Sequence, residues 1–365
     1  MSAVSRFVVR AMREDRGRFA ALRDARAMIY WPHGLGDWVT FGAVAPLLEP
    51  SNAYAMTRFG DDYVSIFEGS SIVRPLAGGV RRIGDGATAG TPHFGLRLRD
   101  CNGRAATIEV PAPMDEAVRK FAPDTLLWTD YPETEGRTPY PFHTKARNLA
   151  RMLVATERLC GFDLSAPLAN SIDFSAPPET QRRIDERLER LAPPETRLAV
   201  ISRSGLTAPR KNWGDGSEAR AFAAALRRDR PNWRFVSMDD DDLGEGSATF
   251  RALFGDLDDP FARTYKAFAR RIALFVGIPA GPLHFILARG GIPTLGLWLS
   301  HHPDWYDEPN ANAMHLVGSY VRERGFDRRP ASITKPPSLA HRLVYLDTPN
   351  IAAETVAEAA IALLT

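Results

Sequence analysis

The chain has 365 residues, 44% of them hydrophobic and 25% charged, and its 46 basic and 44 acidic side chains give a net charge of +2. This composition excludes disordered and fibrous classes, and the balanced charge predicts no nucleic-acid partner, which would need a clustered basic face. The two cysteines, Cys101 and Cys160, are too few for a disulfide scaffold or a four-cysteine zinc site, and they fit a reducing cytoplasm. The length favours two domains.

The N-terminal segment bears on localisation. Residues 5–27 are rich in arginine and can form an amphipathic helix, which either packs on the domain or touches an anionic membrane surface. No apolar run reaches the roughly 18 residues of a membrane span, and no secretory apolar core is present. We therefore expect a cytoplasmic protein with at most peripheral contact at the inner face of the membrane.

The first half of the chain begins with a short apolar run at 27–31, followed by a glycine turn and a helical pattern at 38–48. Strand, glycine turn and helix in this order open an α/β unit. Further strands are predicted at 52–57 and 125–128, and a long amphipathic helix at 143–160. The Gly- and Arg-rich stretch between the two strands is predicted to form short strands and loops.

A proline-rich stretch at 165–179 is the predicted linker, and the α/β pattern restarts after it. The second half has predicted strands at 198–201, 233–238, 272–276 and 294–299, and predicted helices at 181–191, 216–228, 260–271, 281–289 and 351–364. Alternating strands and helices favour parallel sheets covered on both faces. We predict an α/β chain of two Rossmann-like, doubly wound domains facing a cleft, at 1–175 and 176–349, with a C-terminal helix at 350–365 that is able to pack back on the N-terminal domain.

The turn Gly34-Leu35-Gly36-Asp37 follows the first strand, at the kind of strand end where open α/β sheets bind ligands. Its glycines let the backbone approach a ligand closely. Asp37 either caps the next helix or takes a proton from a hydroxyl. A dinucleotide fingerprint is the weaker alternative, because Val39 stands in place of its third glycine.

The loop after the strand at 198–201 carries hydroxyls, Gly205, cations and Trp213. Such a loop suits a diphosphate, with Lys211 as a point charge. It lacks the spacing of a Walker loop, and the alternative is an ordinary solvated basic loop.

The segment from Gly277 to His284 follows another strand and opens a helix. The helix N-terminus beside Gly281 is suited to bind an anion. His284 either contacts phosphate or sugar, or is a core histidine that donates to a carbonyl.

Two further loops are candidates. Asp239–Asp242 follows a strand and either holds a divalent cation on a diphosphate or is a solvated acidic loop, which is the interpretation we prefer. His301 and His302 form a candidate binding loop, but adjacent histidines point in different directions, so no shared metal site is predicted.

Taken in order, these motifs resemble those of the lipopolysaccharide heptosyltransferase family (glycosyltransferase family 9, GT-B fold). The matching residues, between about 27 and 300, are Gly36-Asp37-Trp38-Val39-Thr40 with Pro46, the helix with His143, Arg147 and Asn148, Lys211-Asn212-Trp213, Val276 to His284, and Pro293-Thr294-Leu295-Gly296-Leu297. The three main motifs are fairly specific together and weak singly.

The resemblance implies a function for each half of the chain. The N-terminal domain would bind the acceptor, which is a glycan, a lipid-linked sugar or a small molecule, and the second domain would bind a nucleotide-sugar donor. Asp37 would be the general base, with Gly34, Gly36 and His143 on the acceptor side. The implied donor residues are Ser204, Gly205, Thr207, Lys211, Gly281, Pro282 and His284. Transfer would be inverting and would use neither a metal nor a cofactor.

One position departs from the family pattern. The family's Asp-Thr pair is Pro279-Ala280 here, which removes a carboxylate and a hydroxyl from the donor side. The donor is therefore left open between ADP-heptose and a different nucleotide sugar. A catalytically silent sugar- or nucleotide-binding protein and a nucleotide-sugar epimerase of the same fold are the alternatives.

Overall fold

The computed structural model describes residues 28–30, 34–44, 53–56, 61–70, 73–75, 81–82, 93–99, 105–111, 126–128, 170–205, 209–300, 302–303, 312–323 and 342–365. The described residues up to Asp173 form one compact unit together with Pro260–Ala262, and the remainder from Phe174 onward forms a second. The predicted features that lie outside the described residues are the helix at 5–27, both cysteines, Pro46, the helix at 143–160 with His143, Thr207 and His301.

The first unit is built on a parallel sheet. Its elements are β1 (Met28–Tyr30), α1 (Leu35–Val44), β2 (Ala53–Met56), α2 (Asp61–Val64) with a 3-10 turn (Ser65–Phe67), β3 (Val73–Pro75), β4 (Arg81–Arg82), β5 (His93–Arg99), β6 (Ala105–Pro111) and β7 (Leu126–Trp128). The parallel strands follow the order β3-β2-β1-β7, and β4, β6 and β5 form a separate antiparallel sheet. The predicted strands at 27–31, 52–57 and 125–128 are confirmed.

Helix α1 is held by its aromatic side chains and by a segment that returns from far along the chain. Trp38, Phe41 and Phe67 are fully buried and pack edge to face, with ring centroids 5.7 to 6.1 Å apart. The amide of Asn170 donates to the carbonyl of Val39 at 3.1 Å. Residues 170 and 171 of the predicted linker are therefore packed on the helix that carries Asp37.

The second unit alternates strands and helices. Its elements are α3 (Pro178–Glu189), β8 (Arg197–Ser202), a 3-10 turn (Pro209–Lys211), α4 (Gly216–Asp229), β9 (Trp233–Ser237), β10 (Ser247–Thr249), α5 (Phe250–Phe254), α6 (Phe261–Ala269), β11 (Ile272–Gly277), α7 (Gly281–Arg289), β12 (Thr294–Trp298), β13 (Ala313–Val317), α8 (Ser319–Glu323), β14 (Arg342–Tyr345) and α9 (Ala353–Leu364). Local sequence explains the starts of some helices. At α4, Asp215 accepts from the N–H of Ser217 while Glu218 accepts from the N–H of Asp215, which is a capping box.

The seven described strands of this unit form one parallel sheet in the order β10-β9-β8-β11-β12-β13-β14. The chain runs outward from β8 to β10, then returns to add β11 on the other side of β8, so the strand order reverses between β8 and β11. Leu198, Ala199, Val200 and Ile201 of β8 are buried, as expected of a central parallel strand covered on both faces. The predicted doubly wound arrangement is confirmed for this unit.

The C-terminal helix belongs to the second unit. Helix α9 packs on α4, β12 and β13, and its Val356 and Ala360 share a core with Phe222 and Leu226 of α4. Its apolar face is therefore buried within the second unit, and the packing of this helix back on the N-terminal domain stays a prediction. Within the described residues, no helix combines the length and apolar character needed to cross a membrane.

Candidate active site

The reversal between β8 and β11 is the place where an open α/β sheet binds ligands, because the loops that leave the two strands diverge and open a crevice. Here the two loops also contact one another. The N–H of Ile278 donates to the carbonyl of Ser202 at 3.0 Å, and the ammonium of Lys211 donates to the carbonyl of Pro279 at 3.5 Å. The structure thus brings together two motifs that lie almost 70 residues apart in the sequence.

The described parts of the loop after β8, residues 203–205 and 209–213, are here called the switch-point loop and are joined by hydrogen bonds. The N–H of Trp213 donates to the carbonyl of Arg203 at 2.8 Å, and the N–H of Gly205 donates to the side-chain carbonyl of Asn212 at 3.0 Å. The Trp213 indole is buried and donates to the carbonyl of Ile351 at 2.7 Å. Trp213 is therefore the anchor of the loop, and Lys211 is the half-buried cation that the loop presents.

Gly205 lies opposite the second loop. A Cβ atom built on Gly205 would be 3.7 Å from Cδ1 of Ile278 and 3.8 Å from Cβ of Ala280, which is ordinary contact distance. The backbone of the switch-point loop therefore runs directly alongside the turn at 278–280.

Helix α7 begins at this turn with an open N-terminus. Ala280 is its N-cap, has extended backbone angles and makes no side-chain cap hydrogen bond. An α-helix leaves the N–H groups of its first turn without intrahelical acceptors, and their partial positive charge attracts anions. Pro282 suits this turn because it has no N–H to satisfy, and its carbonyl accepts from the hydroxyl of Tyr265 at 3.3 Å.

His284 lies inside the core. It is 4% exposed, and its ring packs edge to face with Trp298, whose indole donates to Nδ1 of His315 at 3.0 Å. This is the environment of a core histidine, so a contact of His284 with phosphate or sugar stays a prediction.

The acidic run has partners that the sequence did not reveal. Asp239 accepts from the N–H of Arg203 at 2.7 Å and from the hydroxyl of Ser204, and Asp241 forms a two-pronged ion pair with Arg203, at 2.5 and 2.8 Å. Burial raises the pKa of the Asp239 carboxyl, against the opposing effect of its bonds with Ser204 and Arg203. The hydroxyl proton of Ser204 is thus directed at Asp239.

The two other aspartates of the run face solvent. Asp240 pairs with Arg251 at 3.5 Å, and Asp242 pairs with Arg220. Within the part of the chain that the structure describes, no three His, Cys, Asp or Glu side chains are grouped as they would be to hold a metal ion. Three of the four aspartates therefore form ion pairs with arginine and Asp239 accepts from the backbone of Arg203, so the run is more ordered than the solvated loop we expected.

In the first unit, Asp37 lies inside the first turn of α1. The helix begins at Leu35, and the N–H groups of Asp37 and Trp38 donate to the carbonyl of Gly34 at 3.1 and 3.3 Å. The hydroxyl of Thr40 donates to the carbonyl of Gly36 at 3.1 Å. Asp37 is half-buried and interacts favourably with the helix macrodipole.

The doubly wound sheet of the second unit defines an α/β protein, and comparison with solved structures supports the GT-B fold class. No protein-family model matches the chain, and no curated protein matches it. A glycosyl transferase of family 9 from Veillonella parvula DSM 2008 is 16% identical with a TM-score of 0.54, over 93% of this chain and 97% of that one. The E. coli ADP-heptose lps heptosyltransferase II is 11% identical with a TM-score of 0.51, over 93% and 98%. At such low identity the likeness establishes the fold, and the predicted fold class is confirmed.

Proposed function

We propose that the protein is an inverting glycosyltransferase that moves a sugar from a nucleotide-diphosphate donor to a hydroxyl acceptor without a metal ion. The observation that carries the proposal is the meeting of Lys211 with the start of α7 at the reversal point of the sheet. A cation and an open helix N-terminus at one place form a site for a diphosphate. The GT-B fold of the family 9 neighbours supports the same conclusion.

The chemistry of the transfer explains why such a site would matter. As the bond between the sugar and the diphosphate breaks, negative charge develops on the leaving phosphate oxygens. Lys211 and the first-turn N–H groups of α7 would stabilise this charge more strongly in the transition state than in the bound donor. The cation of Lys211 would thereby neutralise the leaving diphosphate, as a divalent metal ion does in other glycosyltransferases.

The acceptor hydroxyl is a poor nucleophile until a base removes its proton. We assign this base to Asp37, with Gly34, Gly36 and His143 on the acceptor side. The acceptor class is a glycan, a lipopolysaccharide or a small molecule that carries a hydroxyl.

The donor is proposed as ADP-heptose or a related nucleotide sugar, because one neighbour with the same fold is an ADP-heptose heptosyltransferase. Pro279 and Ala280 offer neither a carboxylate nor a hydroxyl to this donor. The same pair favours a second candidate function, a nucleotide-sugar-binding protein of this fold without turnover.

A nucleotide panel tests the proposal. The melting temperature is measured with ADP, GDP, UDP, CMP and TDP, each with EDTA and with Mg²⁺, since a ligand that binds the folded state raises stability. We expect one nucleoside diphosphate to raise it equally under both conditions, and the matching nucleotide sugar to be consumed when acceptors are added. If no nucleotide changes the melting temperature, the donor-site assignment is wrong. Binding without turnover would favour the non-catalytic candidate.

A further inference from the structure

The acidic run contains two kinds of aspartate, which alternate along the chain. Asp240 and its partner Arg251 are 66% and 82% exposed, whereas Asp241 and Arg203 are only 13% and 19% exposed. Asp239 is also largely buried and, like Asp241, faces the switch-point loop. Asp239 and Asp241 therefore point inward, and Asp240 points outward.

Both inward aspartates hold the same residue. Asp239 accepts from the backbone N–H of Arg203, and Asp241 accepts from two nitrogens of its guanidinium. The carbonyl of Arg203 accepts from the N–H of Trp213, at the other end of the switch-point loop. Arg203 is thus fixed at its N–H, its carbonyl and its side chain.

Asp239 and Asp241 also contact the residue that follows Arg203 and the start of α4, respectively. Asp239 also accepts from the hydroxyl of Ser204, so two successive residues of the loop are bound to one carboxylate. A Cβ atom on Gly216 would lie 2.9 Å from Oδ1 of Asp241, so the carboxylate sits against the first turn of α4. Asp241 is thereby fixed between the two ends of the segment that carries Lys211.

We propose that Asp239 and Asp241 are positioning residues that hold the switch-point loop in the conformation in which Gly205 and Lys211 face the turn at 278–280. We assign neither carboxylate a contact with the donor or a cation, because both oxygens of each already accept hydrogen bonds from Arg203 or Ser204. The consequence for ligand affinity rests on the proposed function, whereas the ordering of the loop does not.

The test compares Asp239→Asn and Asp241→Asn with Asp240→Asn, an exposed member of the same run. The first readout is amide hydrogen exchange of Gly205 and Trp213 in the ligand-free protein, since neither N–H is bonded to an aspartate. Loss of a charge-assisted hydrogen bond predicts exchange about tenfold faster in the two inward variants, with the Asp240 variant unchanged. Asp241→Glu, which keeps a carboxylate for Arg203, recovers most of the protection.

The second readout is the Kd for inorganic pyrophosphate, which carries the diphosphate chemistry without a nucleoside. We expect it to rise about tenfold in the inward variants only. Arg203→Lys keeps the charge but loses the two-pronged geometry, and tests the same contact should Asp241→Asn fail to fold.

Equal exchange of Gly205 and Trp213 in all three asparagine variants would overturn the proposal. So would a slowing of their exchange by Mn²⁺ in the wild type that disappears in Asp239→Asn, because it would show a cation on the run. If the wild type binds no pyrophosphate while the exchange pattern is as expected, the proposed function fails and the positioning of the loop stands.

Discussion

At the scale of single residues, Lys211 depends on neighbours whose importance the sequence did not show. Its own ammonium reaches the carbonyl of Pro279, but its place is set by Asn212, which binds the N–H of Gly205, and by Trp213, which is anchored in the core. The Lys-Asn-Trp element therefore combines one cation, which we propose binds the ligand, with two residues that hold the loop.

Lys211→Ala should weaken the binding of pyrophosphate and of the nucleoside diphosphate found in the panel. Removing a charged donor from a phosphate costs about 1.5–3 kcal/mol, or about 10- to 100-fold in Kd. Lys211→Arg should keep most of the affinity, because the charge remains. Isothermal titration checks both, with Arg228→Ala as a control at an exposed cation on α4. Equal affinity in the wild type and Lys211→Ala would remove Lys211 from the site.

The raised pKa of Asp239 predicts how the stability of the protein depends on pH. Burial raises its pKa above the usual value of 3.8, so between that value and the raised one the folded protein binds more protons than the unfolded chain. The free energy of unfolding should therefore fall as the pH rises through this window. Asp239→Asn should remove this contribution and flatten the profile. Urea unfolding at a series of pH values, followed by tryptophan fluorescence, measures the difference, and parallel profiles would contradict it.

At the scale of elements, the sequence predicted the strands and helices that have a strong apolar pattern. β8 and β11 are continuous apolar runs, and α7 lies between a glycine-proline turn and Gly290, so their positions were predicted to within a residue. The elements of the second unit that were missed, β10, α5, β13, α8 and β14, are three to five residues long, too short for a period to show.

The start of α1 was predicted three residues late. The glycines of the turn were taken as non-helical, whereas Leu35 and Gly36 already belong to the helix and the carbonyl of Gly34 accepts its first bonds. Because of this shift, Asp37 lies within the first turn instead of preceding it.

The contact between α1 and residues 170–172 predicts a steric effect at Gly42. A Cβ atom there would lie 2.5 Å from Oδ1 of Asn170 and 2.8 Å from Cδ1 of Ile172. Gly42→Ala should therefore destabilise the protein by about 1–3 kcal/mol, partly offset by the better helix propensity of alanine. Gly34→Ala is the control, since a Cβ atom there meets no described atom within 4 Å. Urea unfolding that shows equal stability for the two variants would mean that the segment does not pack on α1 in this way.

At the scale of the whole molecule, the order of the strands decides which motifs meet. The sequence predicted that the loops after β1, β8, β9 and β11 would carry chemistry, but the pairing of parallel strands is not local. The contacts of Arg203 with Asp239 and Asp241 join residues 36 and 38 positions apart, and that of Lys211 with Pro279 spans 68. These separations are why the partners of the acidic run could not be predicted, although its position could.

The division into two units predicts that binding and transfer can be separated by mutation. The groups proposed to bind the diphosphate lie in the second unit, whereas Asp37 lies in the first. Asp37→Asn should lower kcat by about 100- to 10,000-fold, because the acceptor hydroxyl loses its base, and should leave the Kd of the nucleoside diphosphate unchanged. Asp62→Asn, at an exposed carboxylate of the same unit, should change neither quantity. Steady-state kinetics and titration of the same preparations measure both effects. Full activity in Asp37→Asn would exclude Asp37 as the base, whereas parallel loss of binding and activity would indicate that the variant is misfolded or that Asp37 contacts the donor.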